Sequence, residues 1–272
     1  MIERKIPSSG EMLPVIGCGT YRGFDVSPGS RAFGDVHHTV DTLLAKYGEL
    51  IDTSPMYGRA EFVVGEVLQS IPNRDRAFLA TKVWIKGRAA GIAQMERSLQ
   101  LLGVDTVDLM QVHNLLDADT HLDTLAGWKA DGRARYVGVT HYRRDGHPAV
   151  AAVLRKRPLD FVQINYSLDD RSAEDGLLDL AAASGTAVIV NMPFGGGSLL
   201  STLSREPIPA FANAIGCTTW SQILLKFILG HEAVTCVIPG TGNPAHMAEN
   251  IAAADGDLVQ ARAAILAWWR CR

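Results

Sequence analysis

The sequence lacks a large excess of charge of either sign. Its 26 lysines and arginines nearly balance its 29 aspartates and glutamates, which leaves a formal net charge of −3. Proteins that bind the phosphate backbone of nucleic acids usually present a strongly basic surface. We therefore expect no nucleic-acid partner. No run of like charges predicts a charged tail or a helix that lies on a membrane surface.

Long apolar runs and clustered cysteines are also absent. The closest approach to a membrane span, residues 223–229, is short and contains Lys226. The first residues, MIERKIPSSGEMLP, lack the apolar segment of a secretory signal. The four cysteines are scattered without CxxC spacing, which favours buried free thiols over disulfides or a metal site. These absences predict a cytoplasmic protein with no membrane partner and no bound metal.

The sequence does contain a repeated alternation of short apolar segments with longer amphipathic ones. Because the short segments are almost continuously apolar, they are typical of parallel strands covered on both faces. In residues 91–102, Ile92, Met95, Leu99 and Leu102 lie on one face of a predicted helix. The predicted strands are residues 15–18, 50–52, 77–80, 107–112, 136–139, 161–164, 187–190 and 235–238.

Eight such strands with helices between them predict an α/β fold, a (β/α)8 TIM barrel of eight parallel strands. An open doubly wound sheet is the competing fold, but no G-x-G-x-x-G turn follows the first strand. Residues 5–15, with a turn at Ser9 and Gly10, predict an N-terminal β-hairpin that caps the barrel. We see no linker or repeat, so we expect residues 1–272 to form a single domain.

Four ionisable residues follow three consecutive predicted strands. Asp52 ends the second strand and Tyr57 follows it, while Lys82 and His113 stand at the ends of the next two strands. Active-site groups of a (β/α)8 barrel lie at the carboxyl ends of its strands. We therefore expect all four side chains to face the opening of the barrel at the carboxyl ends of its strands, hereafter the mouth.

This combination of residues suits proton donation to an alkoxide. An ammonium about 4 Å away, at an effective dielectric near 20, is worth roughly 4 kcal/mol to a tyrosinate. That energy corresponds to about 3 pKa units, partly cancelled by desolvation, so we expect Lys82 to lower the pKa of Tyr57. Asp52 would hold Lys82, and a neutral His113 could polarise a carbonyl group. None of these groups supplies a hydride, so a reduced cofactor must do so.

Taken singly, each residue also has a structural interpretation. An Asp–Lys pair between neighbouring strands is often only structural, and a tyrosine that opens a helix usually packs. A histidine at a strand end is more often a hydrogen-bonded polar residue than a catalyst. Their joint order and spacing favour the catalytic interpretation.

Several segments resemble the aldo-keto reductase family. They are LIDTSPMYGRAEFVVGEVL, FLATKVW and SLQLLGVDTVDLMQVHN, and the similarity extends from GCGTY near the start to IPGTGNPAHMAEN near the end. The resemblance implies that Asp52, Tyr57, Lys82 and His113 form the catalytic tetrad of an NAD(P)H-dependent oxidoreductase. The implied reaction transfers a hydride from nicotinamide to a carbonyl carbon, with Tyr57 as the general acid.

Two segments predict where the phosphates of a cofactor would bind. Three glycines, 195–197, let the backbone approach a bulky anion, although a flexible loop is the simpler interpretation. Asn243 and Pro244 predict a helix start, whose free N–H groups attract anions. The resemblance further implies that Gln163 binds the carboxamide and that Tyr166 stacks on the nicotinamide ring. The predicted cofactor-binding residues are Gly19, Thr20, Tyr21, Asp52, Thr140, His141, Gln163, Tyr166, Asn191, Pro193, Phe194, Gly195, Pro239, Gly240, Thr241, Asn243, His246, Glu249 and Asn250.

The sequence departs from its relatives at two cofactor positions. Thr140 and His141 stand where many relatives have Ser-Asn. Gly240 and His246 stand where many NADPH-specific relatives carry a lysine and an arginine for the 2′-phosphate. A phosphate without a guanidinium partner is held more weakly. We therefore expect NADPH as the cofactor, with NADH possible.

The predicted substrate-binding residues are largely apolar, which suits a small-molecule carbonyl substrate with a hydrophobic body. They are Tyr21, Phe24, Met56, Trp84, His113 and Asn114. Three alternatives remain open. The same site could serve an NAD(P)-dependent sugar or alcohol dehydrogenase, or a cofactor-sensing regulatory subunit with little turnover. A barrel lyase or racemase with Lys82 as a Schiff base is a third. By resemblance we expect a monomer.

Overall fold

The computed structural model describes residues 2–46 and 48–272. The chain begins with an antiparallel hairpin of β1 (Glu3–Lys5) and β2 (Met12–Pro14). Its turn includes Gly10 at φ 78°, a left-handed conformation that glycine adopts without steric cost. Ile6 and Leu13 are buried in the apolar cluster inside the barrel. The predicted hairpin is thus confirmed, and its apolar side chains complete the barrel interior.

Eight parallel strands form the barrel. In order they are β3 (Cys18–Gly19), β4 (Leu50–Asp52), β5 (Phe78–Val83), β6 (Val107–His113), β7 (Ala134–His141), β8 (Phe161–Asn165), β9 (Ala187–Asn191) and β10 (Cys236–Val237). Each strand pairs with the next one along the chain. Parallel bridges between Ile16 and Val237 and between Gly19 and Gly240 join the last strand to the first. The predicted (β/α)8 barrel is confirmed, with strand ends shifted by a few residues.

Helices surround the barrel and connect its strands. They are α1 (Arg31–Ala45), α2 (Ala60–Ser70), α3 (Arg88–Leu102), α4 (Ala118–Ala130), α5 (His147–Lys156), α6 (Leu177–Ala183), α7 (Ser198–Leu203), α8 (Trp220–Leu229), α9 (Pro244–Ala252) and α10 (Leu258–Trp269). In α3, Met95, Leu99 and Leu102 are buried, as their spacing predicts. Across the described part of the chain, no helix combines the length and the apolar character needed to cross a membrane.

The barrel interior changes from apolar to polar along strands such as β4 and β8. Successive residues of a strand point to opposite faces, so a step of two residues stays on the same face. Leu50 and Phe161 belong to the inner apolar cluster. Two residues further along the same strands stand Asp52 and Gln163, both buried. Inside the barrel, a layer of polar side chains at the carboxyl ends of the strands therefore follows a layer of apolar side chains.

Candidate active site

The structure brings Asp52 and Lys82 into a buried ion pair at the carboxyl ends of β4 and β5. The Nζ atom of Lys82 lies 2.6 Å from Oδ2 of Asp52, and the two side chains are 0% and 3% exposed. The same ammonium donates a hydrogen bond of 2.7 Å to the carbonyl oxygen of Thr53. The Asp52 carboxylate and the Thr53 carbonyl oxygen thus fix the position of the Lys82 ammonium.

Tyr57 and His113 complete the predicted set. The Nζ atom of Lys82 lies 5.1 Å from the centroid of the Tyr57 ring. The Tyr57 and His113 ring centroids are 6.0 Å apart, with their planes at 86°. Tyr21 also packs against Tyr57, with the two ring centroids 5.1 Å apart. The four side chains from β4, the loop after it, β5 and β6 therefore meet at one mouth.

A tight turn after β4 places Tyr57. The N–H of Tyr57 donates to the carbonyl oxygen of Ser54 over 3.0 Å, and Pro55 occupies the second turn position. Serine at the first position and proline at the second are typical of a type I turn. Gly58, at φ 62°, then turns the chain toward α2. The turn formed by Ser-Pro-Met-Tyr thus reverses the chain and places Tyr57 near the carboxyl end of β4.

The pKa of Tyr57 moves in the direction opposite to our expectation. Burial raises it above its ordinary value, and the nearby Lys82 ammonium only partly opposes that effect. The expected net lowering of the Tyr57 pKa is therefore wrong, because the desolvation cost of the phenolate exceeds its attraction to one ammonium group. For Lys82 itself, burial favours the neutral form, but Asp52 and Tyr57 together raise its pKa. The lysine is therefore charged and the tyrosine protonated near neutral pH.

His113 is neutral, as the sequence predicted. Burial lowers its pKa to about 3, with further contributions from Lys82 and His141. The imidazole can therefore donate one hydrogen bond and accept another, but it does not carry a charge near neutral pH.

A chain of amides holds the second oxygen of Asp52. Oδ1 accepts hydrogen bonds from Nε2 of Gln163 at 2.8 Å and from Nε2 of Gln111 at 3.3 Å. The Oε1 atom of Gln163 in turn accepts from Thr140 and Asn191. Gln163, expected to bind a carboxamide, thus has one N–H and its oxygen committed to the protein. Gln111 was missed by the sequence analysis, although its place two residues before His113 puts it on the same face of β6.

The carboxyl ends of β3, β9 and β10 and the loops that follow them, hereafter the cradle, are rich in glycine. A Cβ atom on Gly19 would lie 2.9 Å from the carbonyl oxygen of Ile238, so only glycine fits there. In the loop after β9, residues 195–197 have φ values of 59°, 67° and 99°, all left-handed. Thr20 Oγ1 and Asn191 Oδ1 are buried with no hydrogen-bond partner within the described residues. The Thr20 hydroxyl and the Asn191 amide oxygen are therefore two groups with which a bound dinucleotide could form hydrogen bonds.

The helix expected after β10 begins at Pro244 with Asn243 as its N-cap, which confirms that prediction. Oδ1 of Asn243 accepts from the N–H groups of Ala245 at 2.9 Å and His246 at 3.4 Å. Two N–H groups that we expected to be free for an anion are therefore already capped, which reduces the capacity of this helix end.

The other predicted cofactor residues lie at the carboxyl ends of β7 to β10, in the loops that follow them, or in α9. Among them, Thr140, Pro193, Pro239 and Asn250 are buried, and Gly240, Asn243 and His246 are exposed. Half-buried are His141, Asn191, Phe194, Gly195, Thr241 and Glu249.

Tyr166 does not face the mouth, which corrects the prediction that it stacks on nicotinamide. Its side chain is 0% exposed, and its hydroxyl donates to Oε1 of Glu174 over 2.7 Å. Its ring centroid lies 5.5 Å from that of Phe227 in α8. Because Gln163 points into the barrel, a residue three positions later lies on the opposite, helix-facing side.

Phe24 is a second correction, since its side chain is 0% exposed and packs in the core outside the barrel. It cannot line a substrate pocket. The other predicted apolar residues are exposed: Tyr21, Met56 and Trp84 by 57%, 42% and 36%. The Tyr21 ring packs against Tyr57, and the Trp84 ring centroid lies 6.3 Å from that of His113. Asn114, at φ 53°, has a buried Oδ1 without a partner among the described residues. Three further exposed apolar residues follow β5, β7 and β9 and were not among the predicted ones: Ile85, Tyr142 and Met192.

Comparison with known proteins points to one family. The family model described as "Aldo/keto reductase family" matches residues 15–267. The chain is 28% identical to "Methylglyoxal reductase YeaE" of Escherichia coli K12, over 98% of this chain and 94% of that protein. It is 25% identical to the "NADH-specific methylglyoxal reductase" of the same organism, over 97% of each. An aldo/keto reductase from Klebsiella pneumoniae, solved with NADP and acetate, superposes with a TM-score of 0.77 at 25% identity, covering 94% of this chain and 93% of the other.

Proposed function

The chain belongs to the aldo/keto reductase family, a family of NAD(P)H-dependent oxidoreductases, and we propose that it reduces aldehydes or ketones to alcohols. Asp52, Tyr57, Lys82 and His113, hereafter the tetrad, would carry the reaction. One observation carries the proposal. The buried Asp52–Lys82 ion pair lies next to the protonated Tyr57, which in turn lies next to the neutral His113.

The protein's part in this reaction is to manage a proton and a developing negative charge. NADPH or NADH, when bound at the ends of β3, β9 and β10, would provide the hydride for the carbonyl carbon. The Tyr57 hydroxyl donates its proton to the carbonyl oxygen, and His113 donates a hydrogen bond to the same oxygen. Lys82 stabilises the phenolate left on Tyr57, while Asp52 and the amides behind it keep the ammonium in place.

The state of Tyr57 favours reduction over the reverse reaction. Burial raises its pKa, so the hydroxyl is protonated near neutral pH and is ready to donate. Alcohol oxidation would need the phenolate as a base, a form that burial disfavours. We therefore expect the rate of alcohol oxidation to rise with pH, whereas carbonyl reduction needs the protonated form that is present near neutral pH.

We propose NADPH as the cofactor, with NADH used at a comparable level. The loop and helix after β10, residues 240–250, contain no lysine or arginine for a 2′-phosphate. The Klebsiella structure holds NADP, while one Escherichia coli relative is named NADH-specific. Without a charged partner for the 2′-phosphate, we expect the two affinities to differ by less than about tenfold, or about 1.4 kcal/mol.

For the substrate we propose small aldehydes and ketones with an apolar or aromatic body. The exposed side chains of Tyr21, Met56 and Trp84 offer an apolar wall beside the tetrad. Two relatives are named methylglyoxal reductases, which adds small ketoaldehydes to the candidates.

Fluorescence titration with NADPH and NADH, followed by turnover with methylglyoxal, benzaldehyde and acetophenone, tests this proposal. We expect saturable binding of both nucleotides and aldehyde-dependent oxidation of the reduced form. Binding without turnover of any carbonyl compound would instead favour the cofactor-sensing alternative. Absence of binding would contradict the whole assignment.

A further inference from the structure

Ser54 contacts both of the residues whose side chains would meet the substrate oxygen, His113 through its side chain and Tyr57 through its backbone. Its Oγ atom lies 3.2 Å from Nδ1 of His113, with both side chains buried. Its carbonyl oxygen accepts the N–H of Tyr57 in the turn after β4. One residue thus links the histidine to the segment that carries the tyrosine.

The hydrogen bonds of Ser54 determine where its hydroxyl proton goes. Oγ accepts the backbone N–H of Met56 over 3.3 Å, and its one other hydrogen-bond partner among residues 2–46 and 48–272 is Nδ1 of His113. If Nδ1 carried a proton, Oγ would accept two hydrogen bonds and its own proton would be buried without an acceptor. Such an unpaired buried donor costs about 1–3 kcal/mol. The hydroxyl therefore donates to Nδ1.

The neutral imidazole then carries its single proton on Nε2. Burial and the nearby Lys82 disfavour a second proton, so the ring does not become doubly protonated near neutral pH. Because Nδ1 faces Ser54, Nε2 points away from it. The other tautomer would direct a lone pair at the substrate oxygen and repel it.

We propose that Ser54 is a positioning residue that locks His113 in the Nε2–H tautomer and aims that N–H at the substrate carbonyl oxygen. This inference rests on the proposed carbonyl reduction for its consequence, although the tautomer is a property of the protein alone. Ser54 thereby holds both polar partners of the substrate oxygen, His113 through its side chain and Tyr57 through its backbone.

Long-range ¹H–¹⁵N correlation spectroscopy of the uniformly ¹⁵N-labelled protein at neutral pH tests the tautomer without cofactor. The signals of His113 are assigned by their loss in His113→Gln. We expect one unprotonated nitrogen, Nδ1, and one protonated nitrogen, Nε2, with widely separated shifts. In Ser54→Ala the two shifts should converge as both tautomers become populated, and Ser54→Thr should restore their separation.

Ser98→Ala is the matched control, because it removes another buried serine hydroxyl, which donates to the Gln94 carbonyl within α3. It should leave the His113 shifts and turnover unchanged. For Ser54→Ala we expect kcat to fall about 3- to 10-fold, as for loss of one neutral hydrogen bond, with the Kd for NADPH unchanged.

Two results would overturn the inference: a proton on Nδ1 in the wild-type protein, or His113 shifts in Ser54→Ala that match the wild type. The first does not depend on any variant being folded. If the wild-type protein proved inactive on every carbonyl compound, the proposed function would fail, while the spectra would still decide the role of Ser54.

Discussion

Burial, more than neighbouring charge, sets the protonation states of single residues in this mouth. The phenol of Tyr57 lies close to the ammonium of Lys82, yet its pKa rises. The phenolate would lose more hydration free energy on burial than its attraction to that ammonium restores. The same loss of hydration keeps His113 neutral. A protonated tyrosine and a neutral histidine are the two donors that a developing alkoxide needs.

Tyr57→Phe removes the proton donor and leaves the ring. We expect kcat for an aldehyde to fall by about 10²- to 10⁴-fold, the usual contribution of a general acid. Fluorescence titration should show almost unchanged affinity for NADPH, since the hydroxyl is assigned to the substrate oxygen. Turnover at the wild-type rate would remove Tyr57 from the mechanism.

The pH dependence of reduction follows from two pKa shifts. Reduction needs protonated Tyr57, whose pKa burial raises above the ordinary value of a tyrosine, so the hydroxyl keeps its proton well above neutral pH. It also needs neutral His113, whose pKa is lowered to about 3, so that form persists down to acidic pH. We expect kcat for reduction to be flat from about pH 5 to about pH 9 and to fall only above that range. A step near pH 6–7, the ordinary range of histidine, would contradict the neutral assignment of His113.

At the scale of secondary-structure elements, Tyr166 joins β8 to the helices outside the barrel. Its hydroxyl donates to Glu174, which also accepts a hydrogen bond of 2.9 Å from Arg262 of α10. The guanidinium of Arg262 lies 4.4 Å from the ring centroid of Phe227 in α8. This cluster holds α8, α10 and the segment before α6 against the barrel wall.

Tyr166→Phe tests this structural role against a cofactor role. Loss of a hydrogen bond to a charged group should lower the free energy of unfolding by about 1.5–3 kcal/mol, as measured by urea denaturation. Cofactor affinity should not change, because the ring faces the helices. A tenfold loss of NADPH affinity with unchanged stability would restore the stacking role that the buried position argues against.

The molecule as a whole should respond to its cofactor. The cradle joins the ends of β3, β9 and β10, where the first and last strands of the barrel meet through bridges. A ligand that binds there stabilises the folded state by about 2.7 kcal/mol at a hundred times its Kd. For a chain of this size we expect NADPH to raise Tm by roughly 5–10 °C, measured by calorimetry.

NADH at the same multiple of its own Kd should raise Tm by a similar amount, whereas adenosine alone should have a smaller effect at equal concentration. No shift with either dinucleotide would show that the cradle does not bind them.

Much of the fold was predictable because it depends on local patterns. The alternation of apolar segments with amphipathic ones predicted all eight barrel strands and their order, and the spacing in α3 predicted its buried face. The Asn-Pro pair predicted the start of α9. Strand ends were less accurate, particularly in β3 and β10, where pairing at the closure consists of isolated bridges.

For the site, the sequence determined which residues reach the mouth, because parallel strands of a barrel end on one face. Asp52, Tyr57, Lys82 and His113 meet there as their positions predicted. What only the tertiary structure decided were the partners and the burial of each group. Gln163 binds Asp52 across 111 positions of sequence, and His113 binds Ser54 across 59. Tyr166 and Phe24 face the core, and the pKa of Tyr57 rises, because desolvation arises from packing by residues distant in the chain.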